Sequence, residues 1–172
     1  LKSGELERLV EEGARWGLNR GFATQADLER TEERGCLKGA DAGVVSKRAR
    51  DRGRGQVGTL GAGNHFVELA QVAEVYDPDA ASAYGLSQGQ VVLWVHSGSR
   101  GLGHQIATDY IRIMMGAMEK YKIRLPDREL AACPINSPEG QNYLKAMACG
   151  ANYAWANRQM IAYSVRKAWL SV

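Results

Sequence analysis

The chain holds three histidines, His65, His96 and His104, all within two glycine-rich stretches. His65 stands in "GTLGAGNHFVELA", residues 58–70, and the other two in "WVHSGSRGLGHQ", residues 94–105. Neutral imidazole is the commonest side-chain metal ligand. His65 and His96 each border an extended stretch and a glycine or serine turn, where side chains project into clefts. Together they can share a divalent ion, although two ligands leave such a site incomplete and further donors must come from elsewhere. The alternative is that each is a partly buried histidine satisfied by protein partners.

The segment "HSGSRGLGHQ" suits anions. Glycine and serine let backbone N–H groups converge, and Arg100 offers a guanidinium fork that matches phosphate oxygens. A helix predicted to start near His104 adds its positive end. The segment lacks the GxxxxGK[ST] spacing of a P-loop and is no dinucleotide fingerprint. Glycines that serve a tight turn for backbone reasons alone would look the same. In "GNHFVE", strand alternation sets His65, Val67 and Leu69 on one face and Asn64, Phe66 and Glu68 on the other. An amide, a ring and a carboxylate together can read a purine, Glu68 accepting from guanine N–H groups while Phe66 packs on the base. Phe66 as an ordinary core residue is the competing reading. A basic run, "SKRARDRGRG" at 46–55, either faces phosphate or forms a solvated turn.

The elements that must hold these residues follow from periodicity. "HFVELAQVAEVYD" and "QVVLWVHSG" read as strands near 64–76 and 90–96, joined by a polar connection over 77–89. A helix over about 102–121 sets Ile106, Tyr110, Ile113, Ala117 and Tyr121 on one face. Ser137-Pro138-Glu139 opens a long helix to about 170, small-residue rich through "MACGANYAWAN". Upstream, helices are predicted over about 4–16, from Thr24 with its capping partner Asp27 to about Arg34, and from Ser46. The fold class is α+β.

At 172 residues, 45% hydrophobic and 24% charged with a net charge of +3, the chain has the composition of a soluble globular domain. The charge permits a nucleic-acid partner without arguing for one. Cys36, Cys133 and Cys149 form no CxxC pair and no even framework, which fits a reducing, cytoplasmic setting. No signal peptide and no apolar run of membrane length is present. The sequence begins without Met, as a piece of a longer polypeptide would.

Three strings, "GTLGAGNHFVEL", "VHSGSRGLGHQIATDY" and "YLKAMACGANYAWANRQM", resemble in this order segments of the RtcB family of RNA ligases, and together span roughly 58–160. The resemblance implies an enzyme that uses GTP and manganese to join RNA 2′,3′-cyclic phosphate or 3′-phosphate ends to 5′-hydroxyl ends, in tRNA splicing and RNA repair. In that family a histidine carries GMP covalently. By resemblance His65 and His96 are Mn²⁺ ligands of a two-ion site, Asn64 contacts phosphate, Phe66 and Glu68 line a guanine pocket, and Arg100 holds RNA or nucleotide phosphate. His104 belongs to the motif without an assigned role. The implied partners are tRNA halves or broken RNA ends, and a helper such as archease.

The family's Asp- and Cys-bearing "DIGCG"-type motif is absent, and Cys36 in "RGCLKGAD" does not reproduce it. The "HN" metal histidine and the guanylylated histidine of the "HGAGR"-like string are also absent. The expectation is an internal segment, residues 1–172, of one RtcB-like catalytic domain with a mixed sheet and packed helices, inactive alone. A non-catalytic RNA- or nucleotide-binding module and a metal-dependent phosphoesterase are the alternatives.

Overall fold

The structure, a computed structural model, describes residues 1–2, 4–127 and 129–171. Helices dominate: α1 Glu5–Glu12, α2 Arg15–Leu18, α3 Gln25–Glu29, α4 Lys47–Arg54, α5 Pro78–Tyr84, α6 Arg100–Tyr121 and α7 Pro138–Trp169. Two strands, β1 Phe66–Gln71 and β2 Val91–His96, form one antiparallel sheet. The architecture is therefore helices plus a small sheet, in keeping with α+β, and the sheet is purely antiparallel. The chain divides into two units, Leu1–Thr59 with Gly98–Val172, and Leu60–Ser97.

The larger unit is organised on α7. Ala146, Cys149, Tyr153 and Ala156 recur at intervals of three, four and three, the spacing of one helical face, and all are almost fully buried. Small side chains on that face let other elements approach closely. Leu6, Leu9 and Val10 of α1, Ala49 of α4, and Leu102, Ile106 and Tyr110 of α6 complete the cluster. The approach of α4 to α6 is tight at Gly53, where an added Cβ would sit 2.9 Å from Leu102 and 3.3 Å from the Tyr153 ring. The Tyr153 hydroxyl donates to the Gly53 carbonyl at 2.7 Å, so its buried polar tip is satisfied.

Buried polar groups lock the loops to this helix. Asn152, fully buried, accepts from the Leu37 N–H at 2.7 Å and donates to the Val10 and Leu37 carbonyls. Asp27 accepts from both terminal guanidinium nitrogens of Arg166 at 2.8 and 2.9 Å and from the Thr24 N–H, which ties α3 to α7.

Local chemistry explains the helix ends. Ser46 caps α4 by accepting from the Ala49 N–H, Ser137 caps α7 through the Gly140 N–H, and Thr24 with Asp27 forms a full capping box. Several expectations need correction. The first predicted helix, over 4–16, is interrupted at Gly13, whose φ of +62° ends α1, and the chain restarts as α2. The second ends as an α-helix at Glu29 and continues as a 3₁₀ turn over Glu32–Gly35. The connection over 77–89 contains α5, started by an Asp77 cap and Pro78 and ended by left-handed Gly85. Ile113 is 43% exposed and lies off the buried face of α6. The basic run is the helix expected from Ser46, α4, and not the solvated turn that was its alternative reading; its Ala49 and Gly53 face the core and its Arg50 donates to the Ala42 carbonyl.

Within the 60–97 unit the ladder pairs Phe66 with His96, Glu68 with Trp94, and Ala70 with Val92. At the far end the Val72 N–H donates to the Gln90 carbonyl and the Gly89 N–H to the Val72 carbonyl, closing the hairpin.

Candidate functional site

His65 lies one residue before β1 and His96 is the last residue of β2, so both stand at the open end of the hairpin. Their rings are nearly parallel, 6° apart in plane, with centroids 5.8 Å apart. The His65 Nδ1 is 3.2 Å from the Ser97 hydroxyl. If that nitrogen carries the proton and donates to Ser97, Nε2 is left as a lone pair, the arrangement that orients a ligating imidazole. Ser97 is the neighbour that sequence reasoning missed. Its signal was adjacency to His96 at the strand end, across the ladder from His65.

The Phe66 ring meets the His96 ring edge-on at 5.5 Å. Phe66 and Glu68 share a face of β1 and His96 and Trp94 oppose them, so this face carries a ring, a carboxylate and an imidazole. Phe66 is 40% exposed in this chain. Glu68 is exposed, and Asn64 is exposed in the bend before the strand. The two-face division therefore needs amending at its start. Asn64 and His65 precede the ladder, alternation does not govern them, and the His65 ring stacks on His96, a residue of the Phe66 face.

Among the described residues no three His, Cys, Asp or Glu side chains gather as a metal set. The imidazole pair supplies two nitrogen donors, and the chemistry of that donor set fits part of a transition-metal site. Cys36 and Cys149 add none. Burial pushes the Cys36 thiol up, and it donates to the Glu11 carbonyl. Cys149 is pushed up to about 12 by burial. Both are held as thiols, whereas the thiolate is the ligand.

The second motif belongs to the larger unit from Gly98 onward. α6 begins at Arg100, earlier than predicted, so His104 sits inside the helix and away from its positive end. Arg100 has a φ of +53°, a left-handed conformation rare for a side-chain-bearing residue and concentrated at functional positions. Its Nε donates to the Thr59 hydroxyl at 3.1 Å. The glycines here serve space more than conformation. A Cβ at Gly101 would lie 2.8 Å from the Gln56 Oε1, and one at Gly103 would collide with the Ser99 side chain. The Gly101 N–H, one of the groups expected to converge on an anion, instead donates to Gln56 at 2.8 Å. His104 accepts at Nδ1 from Arg52 at 3.3 Å, because a guanidinium can only donate, and its proton is therefore on Nε2. Arg52 also donates to Gln105. Arg52 was hidden inside a run legible only as basic and glycine-rich, and Gln56 directly follows that run.

One further residue was not singled out. Asn157, on α7 and fully buried, accepts at Oδ1 from the Gly58 N–H at 2.7 Å and the Thr59 N–H at 3.1 Å. Its Nδ2 donates to the Thr59 carbonyl at 3.2 Å and the Gly98 carbonyl at 3.0 Å. Its signal was an amide repeated five residues after Asn152 in a stretch otherwise built of small and aromatic residues.

A family model described as tRNA-splicing ligase RtcB matches residues 1–172. The chain is 56% identical over 167 residues to the tRNA-splicing ligase RtcB of Methanocaldococcus jannaschii, covering 97% of this chain and 17% of that protein. It is 52% identical over 172 residues to the protein of that name from Methanococcus maripaludis, covering all of this chain and 36% of the relative. The corresponding figures for Archaeoglobus fulgidus are 52% over 168 residues, 98% and 35%. The chain thus spans about a third or less of the length of these curated relatives. With the match running over its whole length and including the hairpin of paired histidines, the chain belongs to the RtcB family.

Proposed function

We propose that this chain is the part of a GTP- and Mn²⁺-dependent RNA ligase that supplies two metal-binding histidines and a wall of the guanine pocket. The whole protein would join 2′,3′-cyclic phosphate or 3′-phosphate RNA ends to 5′-hydroxyl ends, in tRNA splicing and RNA repair, in the cytoplasm. Archease is the helper to test. The observation that carries the reading is the parallel pair of imidazoles at the mouth of the hairpin, in a chain of this family.

His65 and His96 would hold manganese, the Ser97 hydroxyl orienting the His65 ring. When bound, manganese supplies Lewis-acid stabilisation of phosphate charge. Phe66 and Glu68 are exposed on one strand face, spaced so that a base lying on the ring can present its N–H groups to the carboxylate. Asn64, exposed just before them, would donate its amide to phosphate. Arg100 would stabilise phosphoryl charge, its guanidinium already steadied through the Thr59 hydroxyl. The histidine that carries GMP is not one of these residues.

The test has two parts. The full-length protein should join RNA bearing a 2′,3′-cyclic phosphate to RNA bearing a 5′-hydroxyl only with GTP and Mn²⁺, and should acquire a covalent guanylate. Retained RNA binding without ligation would favour a binding module, and phosphate release alone a phosphoesterase. In the full-length protein, His65→Ala and His96→Ala should each weaken Mn²⁺ binding by about 100-fold. Unchanged binding would remove them as ligands.

A further inference from the structure

The hairpin that bears the two histidines is stabilised unevenly. Its closed end is tied by backbone hydrogen bonds around Val72, Gly89 and Gln90. Its open end, where His65 and His96 stand, lies at the limit of the ladder, whose first pair is Phe66 with His96. Strand pairs fray from their ends, and a two-stranded hairpin is marginal in water. A fraying open end would separate the rings that must share an ion. The chain leaves the larger unit at Thr59 and re-enters it at Gly98, two residues beyond His96. Both points meet the side-chain amide of Asn157.

We propose that Asn157 is a positioning residue for the metal pair: its carboxamide clasps the two roots of the hairpin and so limits separation of His65 and His96. The proposal rests on the metal reading of those histidines. The amide uses both of its ends, accepting from Gly58 and Thr59 on one root and donating to the Thr59 and Gly98 carbonyls across both. Only an amide of this length offers an acceptor and two donors from one buried point. Aspartate keeps the size and the acceptor but turns an oxygen toward two carbonyls. Alanine frees both roots. Asn152 is the matched control, since it is equally buried on the same helix and also binds backbone, but at Val10 and Leu37, far along the chain from the hairpin roots.

The experiment compares wild type, Asn157→Ala, Asn157→Asp and Asn152→Ala in the full-length protein under conditions where each is folded. It measures the ring-to-ring nuclear Overhauser contact between His65 and His96, and the dissociation constant for Mn²⁺ by electron paramagnetic resonance of the free ion. Both Asn157 variants should lose the ring contact and bind Mn²⁺ about tenfold more weakly. Asn152→Ala should lower stability while keeping the contact and holding affinity within about twofold of wild type, its amide being remote from the ligands. A folded Asn157→Ala chain with wild-type contact and affinity overturns the proposal. So does a wild-type protein whose Gly58 and Thr59 amides exchange as fast as open loop, a measurement that needs no variant to fold. If the full-length wild-type protein binds no Mn²⁺, the metal reading fails, and the ring contact and amide exchange still decide the clasp.

Discussion

Every apolar side chain that is buried among the described residues, from Leu6 to Ile161, belongs to the unit of residues 1–59 and 98–172. The 60–97 unit buries only Ser97, and its strands leave Leu69 55% and Trp94 60% exposed. Yet the paired histidines and the proposed guanine contacts, Phe66 and Glu68, are all in that second unit. The scaffold is organised by burial, whereas the hairpin is organised by backbone pairing and by the fixed points at its roots. The side chains proposed to meet ions and nucleotides stay uncovered within this unit, which the chain enters after Thr59 and leaves at Gly98.

The largest effect that tests this contrast is a cavity in the scaffold. Leu102 is fully buried, packed against Gly53 of α4. Leu102→Ala should cost about 3 kcal/mol, lost apolar burial and the cavity both contributing. Urea unfolding should show a lower midpoint with unchanged slope. A cost below about 1 kcal/mol would mean that the α4–α6 contact is not the packed core described here. A smaller loss is expected from Tyr153→Phe, which keeps the ring and removes the bond to Gly53. The Gly53 carbonyl retains the Gln56 N–H as a partner, so the cost should be about 1.5 kcal/mol by the same measurement.

The scaffold was more legible in the sequence than the site. The caps at Ser46, Thr24 and Ser137 are local, and local chemistry reads well from one chain: all three start helices where expected. The strands and the two long helices were also recovered, with ends displaced by a few residues. The failures have physical causes. Gly13 breaks a helix that apolar spacing alone continues, and α5 is set by an Asp-Pro start within a polar run that has no apolar face to announce it. At the site, residue types and motif order drew attention to His65, His96 and Arg100. What they touch is set by cross-strand register and by loops separated widely in sequence, so Ser97, Gln56 and Asn157 carried no comparable signal.

Acid should weaken the scaffold through a named link. The Arg166 guanidinium and the bond from Thr24 hold the Asp27 carboxyl well below the usual carboxylate range. A depressed native value means that the link contributes fully at neutral pH. The contribution falls as pH drops below about 4, where the unfolded chain begins to take up a proton that the folded one refuses. Asp27→Asn should cost about 1 kcal/mol at pH 7, through the cap and the lost pair. The gap between variant and wild type in urea midpoint should narrow at pH 3. A gap that stays constant would mean that Asp27 acts by shape, without its charge.

The smallest effect belongs to the hairpin and tests the comparison from its other side. Leu69 faces Leu93 across the ladder and is more than half exposed, so Leu69→Ser removes little buried surface. If the hairpin has no core of its own, the unfolding free energy from urea melts should move by no more than about 0.5 kcal/mol, the range of ordinary surface substitutions. The backbone pairing at Leu69 is indifferent to the side chain, and the closed end at Val72 and Gly89 is untouched. Amide exchange should therefore quicken modestly along residues 66–71 and 91–96 while Gly58 and Thr59, held by Asn157, keep their protection. A loss above about 1 kcal/mol would reveal apolar stabilisation inside the hairpin itself. Loss of protection at Gly58 and Thr59 would mean that the roots depend on the strands, reversing the direction in which order is passed from scaffold to site.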